Sequence, residues 1–461
     1  MGWSATLLVF SCGFATRGAP YRRAVTARAR VVAIPALAGT SCTGERVVVV
    51  GASGYIGRAV VHNAARRGYD TTAVVRDLRA ARLAQTDGVR VVQADVCDQS
   101  SLQRRGGPLE PGAADVVICC LASRRGTARD AEAVDYAATM NCVRAAVACG
   151  CRHFVLLSAI CVRSAERQEP HALHFQARAA VRRRAPRSAR RTCGMLPSSP
   201  HAPLPSTLGH HVQPQDCKLR VEEQLRALAA AGVLSHSIVR PTAFFKSVCN
   251  QFERVAEGGR FTYFDLGGGR CIRSNPISER DLAAALVDTI AEPARRNSVW
   301  QIGGPNRPLS KIEQGALMAA AAGRPPPATV GVPIGVLHAV VGALELLARL
   351  TRAAPVEDAA EIARILRYYA TEDMVAVGEG EVYGSDSLVD FYRTVAAEGR
   401  EYDPYVAIFD SREAVESFGG GASGCSDAGR GSPTSERRAR AVDELARGAD
   451  VAAAAAGSAQ N

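Results

Sequence analysis

The sequence predicts an α/β protein built on a doubly wound parallel sheet, the Rossmann arrangement, with a smaller, mostly helical C-terminal substrate-binding part. The first observation is the run Arg46-Val47-Val48-Val49-Val50, four β-branched apolar residues after an arginine. It leads through Gly51-Ala52-Ser53-Gly54-Tyr55-Ile56-Gly57 into a segment of helical spacing, with Ile56, Val60, Val61 and Ala64 on one side. The second is a series of further strand-like runs at 71–75, 89–92, 115–120 and 153–157. The third is the helical patterning between the later runs, as at 131–150. Strands and helices that alternate at this length imply a parallel sheet covered on both faces.

Composition narrows the function. The chain has 461 residues, 47% of them hydrophobic, enough for a large core and two or three structural units. Its net charge of +11 is segmental. Residues 1–44 carry five Arg and no acid, and 163–217 carry nine Arg against Glu166, Glu169 and Asp216. The rest of the chain is neutral and offers no basic face to a phosphate backbone, so nucleic-acid binding is not expected. Of 56 basic residues only Lys218, Lys246 and Lys311 are lysine, so a lysine kept in so Arg-rich a chain is singled out. The fourteen Cys lie scattered in apolar stretches without CxxC spacing, as buried thiols do in a reducing compartment. Five of the nine His fall between 171 and 211, at irregular spacing without a structured framework, so no metal is expected.

Segments rich in Arg, Ala, Ser and Thr at 1–44 read as an organelle transit peptide, the alternative being a disordered arm. The first part of the sheet core is expected over 45–162. An Arg/Pro/His-rich stretch at 163–217 breaks it, either a surface insertion or an unspliced intron. Patterning resumes with a helix from 218 to about 231, a strand at 235–239 and a helix-like run at 309–321. The core is completed, with the substrate-binding part, over 218–410, and 411–461 reads as a disordered tail. The most apolar stretch, 330–350, is broken by Gly, Pro, Glu345 and Arg349. Burial in the core is the favoured reading for it and a membrane-surface helix the other.

A strand, a GxxGxxG turn and a helix in that order are the signature of a dinucleotide site. Gly51 permits the bend, Gly54 lets the backbone approach the pyrophosphate, and Gly57 lets helix pack on strand; Ser53, Tyr55 and Ile56 complete the turn. The pyrophosphate is expected at the helix N-terminus, where unpaired N–H groups and the dipole favour an anion. At the end of the second strand, where an acid would bind the ribose of NAD, stands Arg76, which suits the 2′-phosphate of NADP; Arg58 is placed to help. Asp95 and Val96, after the third strand, are in position for adenine contacts.

The segment from Val134 to Asn141 and the strand end Leu156-Leu157-Ser158-Ala159 resemble the extended and atypical short-chain dehydrogenases, in which Ser158 would be the active-site serine. Ordinary members pair a tyrosine with the lysine four residues on. Here Lys218 is preceded at that spacing by Pro214. More specifically, 154–162, 240–247, Asn275-Pro276-Ile277-Ser278-Glu279, Ile302-Gly303-Gly304-Pro305 and 367–372 resemble the plastid divinyl chlorophyllide 8-vinyl reductases, from about Arg46 to Phe391. Phe175-Gln176 and Lys218-Leu219 look like two halves of one family motif, with Phe175 in the tyrosine's place. The resemblance implies reduction of a vinyl group on a tetrapyrrole by NADPH in the chloroplast. It gives Lys218 the nicotinamide ribose, and Arg240, Phe244, Phe245 and Lys246 the border of the pigment. A non-catalytic NmrA-like regulator and an assembly protein of an organelle membrane complex remain the rival readings, and peripheral association with the plastid membrane is a further expectation.

Overall fold

Branched side chains fit a pleated, doubly covered surface, and the valine run at 46–50 becomes an interior strand of the sheet. The computed structural model describes residues 44–78, 88–124, 126–164, 213–376 and 381–399. Its strands are β1 (Arg46–Val50), β2 (Asp70–Val75), β3 (Val89–Gln93), β4 (Val116–Cys119), β5 (His153–Leu157), β6 (Ser235–Pro241), β7 (Phe261–Asp265), β8 (Arg273–Ser274), β9 (Ser298–Gly303), β10 (Leu309–Ser310), β11 (Thr329–Pro333) and β12 (Glu381–Val382). Eight form one sheet in the order β12-β9-β6-β5-β4-β1-β2-β3, every pairing parallel. The chain order reverses at β1, which has β2 on one side and β4 on the other. In an open parallel sheet the crevice beyond the strand ends at such a reversal is where ligands bind.

Successive side chains along β1 point to opposite faces and enter different cores. Val47 and Val49 pack with Ile56, Val60 and Ala64 of the helix Tyr55–Arg66 and with Leu282 and Leu286 of the helix Glu279–Ala291. Val48 and Val50 pack on the other side with Cys142 and Val143 of the helix Thr139–Cys149 and with Val221 and Leu225 of the helix Gln213–Ala230. Thr139–Cys149 is the end of a longer rod that opens with Ala128–Asp130 and passes through a π-helical stretch, Ala131–Ala138. The sequence pattern predicts an ordinary helix there. The rod stops at Gly150, whose φ of +85° suits a residue without Cβ.

Beyond the sheet, β7 pairs with β11 and β8 with β10, and the helices Ile334–Thr351 and Ala354–Thr371 pack on each other through Leu337, Val341, Ala363 and Ala370. The core reading of 330–350 is overturned. Only Leu337, Val341 and Ala348 of the helix are buried, while Leu350 is 74% exposed and Leu346 58%, with Val336, Val340 and Leu347 exposed beside them. The predicted transit peptide, most of the 163–217 segment including Phe175 and Gln176, and the predicted tail lie outside the described residues.

Candidate functional site

The chain leaves β1 at Gly51 with φ of +77°, a conformation that favours glycine. A Cβ there would also stand 2.9 Å from the carbonyl oxygen of Cys120, so the turn after β1 lies against the loop after β4. A Cβ on Gly57 would come 2.1 Å from the carbonyl oxygen of Gly51, so helix and turn approach as only glycine allows. Gly54 caps the helix Tyr55–Arg66 with no side-chain hydrogen bond and no acid in the first turn. Its N-terminal N–H groups thus face the crevice without a competing anion from that turn, and the cradle fits a dinucleotide pyrophosphate. Ile56 is buried in the core and faces the crevice only through its backbone. Ser53 and Tyr55 are partly buried.

Arg76 is exposed directly beyond β2, and its carbonyl accepts from Gln93 Nε2 at 2.8 Å. Asp95 is exposed at the end of β3, where its Oδ1 accepts the Cys97 N–H at 3.0 Å and shapes the turn. Val96 puts its side chain into the core, and its carbonyl accepts from Asn141 Nδ2 at 3.1 Å.

Lys218 comes to the same edge from the helix Gln213–Ala230. Its Nζ lies 3.1 Å from Asp135 Oδ1 and donates to the Leu121 carbonyl at 3.4 Å, one residue beyond the Cys120 that borders the glycine turn. Burial pulls the amine downward. The adjoining Asp135 carboxylate more than offsets this, and the net shift is upward, so Lys218 stays an ammonium. Ser158, the expected active-site serine, is enclosed. It is buried beyond β5, and its hydroxyl donates to Glu222 Oε1 at 2.6 Å, an acid that is itself fully buried. That bond makes it a structural anchor of the helix that carries Lys218.

Arg240 is enclosed as well. The residue is 2% exposed, its Nε donates to Glu222 Oε1 at 3.0 Å, and a second nitrogen pairs with Glu222 Oε2. A guanidinium so enclosed is held by its counter-charge. Phe245 is buried with Val248 and Phe252, its ring 5.5 Å from that of Phe391, and it is among the residues around the same cleft as Lys246. Phe244 and Lys246 remain at the crevice. The Phe244 ring is 6.5 Å from that of Tyr55, and the Lys246 ammonium is 5.3 Å from the same ring, whose hydroxyl donates to Glu279 at 2.5 Å. Tyr55, Lys246, Glu279, Arg280 and Phe391 are among the residues around a cleft of about 520 Å³.

Sequence reasoning did not single out Asp135 or Glu222 as site residues. Glu222 had one available signal: it follows Lys218 by four and so shares its helical face.

The NmrA-like family matches residues 43–198. The divinyl chlorophyllide a 8-vinyl-reductase, chloroplastic, of Oryza sativa subsp. indica is 37% identical over 371 residues, which are 77% of this chain and 79% of that protein. The protein of the same name from Arabidopsis thaliana is 36% identical over 372 residues, 77% of each chain. The chain belongs to the divinyl chlorophyllide a 8-vinyl-reductase family. The resemblance read from the motif stretches is thereby borne out, and a nicotinamide cofactor goes with it. The assembly-protein alternative finds a shorter counterpart: the photosystem II assembly factor Ycf39 of Synechocystis is 31% identical over 113 residues, 24% of this chain.

Proposed function

We propose that this chain is a chloroplast enzyme that reduces the 8-vinyl group of divinyl chlorophyllide a, or of the corresponding protochlorophyllide, to ethyl with NADPH, a step of chlorophyll biosynthesis. The observation that carries the reading is identity to reductases of that name across three quarters of the chain, with Lys218 at the cofactor edge. Position 214 is proline where alcohol or ketone chemistry would ask for a tyrosine. A carbonyl substrate needs an acid on its oxygen; a vinyl group conjugated to a macrocycle does not, because negative charge spreads into the ring system. NADPH, when bound, supplies a hydride to the outer vinyl carbon, and a proton completes the ethyl group.

The chain's own residues bind and orient. Backbone at Gly51, Gly54 and Gly57 holds the pyrophosphate, Arg76 pairs with the 2′-phosphate, and Lys218 holds the nicotinamide ribose. Asp95 and Val96 flank the adenine. Phe244 and Lys246 border the pigment, offering an aromatic edge and a cation for a carboxylate. Ser158 acts by fixing the Lys218 helix. Such positioning replaces an encounter of free partners by a held geometry.

Peripheral association with the plastid membrane belongs to the same proposal, supported by the exposed apolar face of Ile334–Thr351. The deciding assay is anaerobic incubation of the full chain with NADPH and divinyl chlorophyllide a, read by absorption and product mass. The expected product is heavier by two hydrogens. An unchanged divinyl band in a sample that binds NADPH would sink the proposal.

A further inference from the structure

Among the described residues, the rod from Ala128 to Cys149 departs from α geometry over Ala131–Ala138, and this is the stretch that carries Asp135. π-Helical turns are rare and concentrate at functional sites, where the extra residue re-aims a side chain. Asp135 is 2% exposed. A carboxylate so enclosed is costly unless charge and hydrogen bonds compensate it, and here both come from the cofactor edge of the sheet. Oδ2 accepts the Ser123 N–H at 3.3 Å, in the loop after β4 that borders Gly51, and Oδ1 lies 3.1 Å from Lys218 Nζ.

We propose that Asp135 is the positioning residue for Lys218, joining the ammonium to the loop at 120–123 and holding it charged toward the nicotinamide ribose. The inference rests on the reading of Lys218 as the ribose-holding group. The other titratable groups around this pair are thiols and a phenol. Cys119 ends β4, Cys120 follows it, Cys161 follows β5, Cys217 precedes the lysine on its own helix, and Tyr369 comes from the helix Ala354–Thr371. Burial pushes Cys161 up to about 11 and Tyr369 upward, so both are neutral at physiological pH. Glu222, four residues along the lysine's own helix, is engaged by Ser158, Arg226 and Arg240. The Cys119 thiol is drawn below its ordinary value, chiefly by its bond to Cys142 and also by Lys218, but Asp135 comes ahead of it among the groups that raise the ammonium and is the main counter-charge. Without it burial prevails, and the Lys218 amine loses its proton at a lower pH.

The test is NADPH binding by fluorescence in the full chain without pigment, so a failure to reduce divinyl chlorophyllide leaves the result readable. Asp135→Asn is expected to raise the Kd for NADPH about tenfold or more at pH 8, the loss of roughly 1.4 kcal/mol. It should also lower the pH above which binding fades. Lys218→Met should weaken binding as much, and the double variant no further. Asp135→Glu keeps the charge but displaces it. It is expected to retain the parent's pH limb and melting temperature with a Kd raised about fivefold, roughly 1 kcal/mol. Parent-like binding and pH limb in Asp135→Asn, or additive losses in the double variant, overturn the proposal. If Asp135→Asn does not fold, a parent-like Kd in Asp135→Glu overturns it.

Discussion

The Ser158 hydroxyl donates to Glu222 Oε1 at 2.6 Å, and the same oxygen accepts Nε of Arg240 at 3.0 Å. One buried acid thus ties the ends of β5 and β6 to the helix that presents Lys218. Ser158→Ala removes one of several donors to Glu222 and is expected to cost about 1 kcal/mol of stability. Its turnover should stay within a few-fold of the parent. Glu222→Ala strands the Arg240 guanidinium in the interior and should cost about 3–5 kcal/mol. Thermal melts and initial rates check both. A hundredfold loss of turnover in a fully stable Ser158→Ala chain, about 2.7 kcal/mol, would return the serine to the chemistry.

Arg76 stands exposed at the end of β2, where the cofactor's adenosine ribose is expected. A charge-assisted pair with a 2′-phosphate contributes roughly 1.5–3 kcal/mol, so Arg76→Ala should raise KM for NADPH about tenfold to a hundredfold. KM for NADH should hardly move, since that cofactor lacks the phosphate. Equal effects on the two cofactors would remove Arg76 from the 2′-phosphate site.

The contact between Gly57 and Gly51 leaves no room for a methyl group, at 2.1 Å from backbone oxygen. Gly57→Ala must therefore displace either the helix or the turn, with an expected stability loss of about 1–3 kcal/mol. Dinucleotide binding should fall further than stability, because displaced N–H groups no longer converge on the pyrophosphate. Calorimetric titration with NADPH beside a thermal melt measures the two together, and intact binding would contradict the cradle.

The same backbone contacts explain why the glycine turn could be read in advance. Gly51, Gly54 and Gly57 are fixed by sterics within seven residues, and β1 by an apolar run buried on both faces, so both are visible in linear sequence. Asp135 and Glu222 are different. An acid in a helix usually faces water, and what buries these two is a partner far along the chain: Lys218 for the first, Ser158 for the second. The π-helical turn leaves no mark in the Ala-rich segment that forms it. Arg240 is anchored inward on Glu222, which its place at a strand's C-terminal end does not announce. The outward face of Ile334–Thr351 was also hidden, because apolar composition around a helix fits burial and a lipid surface alike.

His153 and His236 sit side by side at the sheet's other edge, each nearly sealed from water, and burial lowers both to about 4. His153 is bonded through its two ring nitrogens to Ser235 and Ser237. A base whose folded value lies below its unfolded value of about 6.5 makes the unfolded chain the better proton acceptor. Stability is therefore complete above pH 6.5 and falls as the pH drops toward 4, by up to about 3 kcal/mol per residue. Denaturant midpoints across this window should show the fall in the parent. A His153→Gln, His236→Gln chain should flatten it, and an unchanged slope would place the acid sensitivity elsewhere.

The helix Ile334–Thr351 carries a face on which Val336, Val340, Leu346, Leu347 and Leu350 meet solvent, opposite the side that packs on Ala354–Thr371. Each leucine left in water forgoes about 1.5–3 kcal/mol that burial in lipid would return. Arg349 and Arg352 are exposed at the helix's C-terminal end, where an anionic surface would add about 1 kcal/mol apiece. Flotation with vesicles containing phosphatidylglycerol is expected to carry the chain upward, less so at high salt. Leu347→Glu with Leu350→Glu should weaken that partition about a hundredfold or more, equivalent to roughly 3 kcal/mol, while NADPH affinity stays at the parent's value. The cofactor edge is built from other elements, so the two readouts separate lipid contact from misfolding. Undiminished flotation of the double variant would assign membrane contact to another surface.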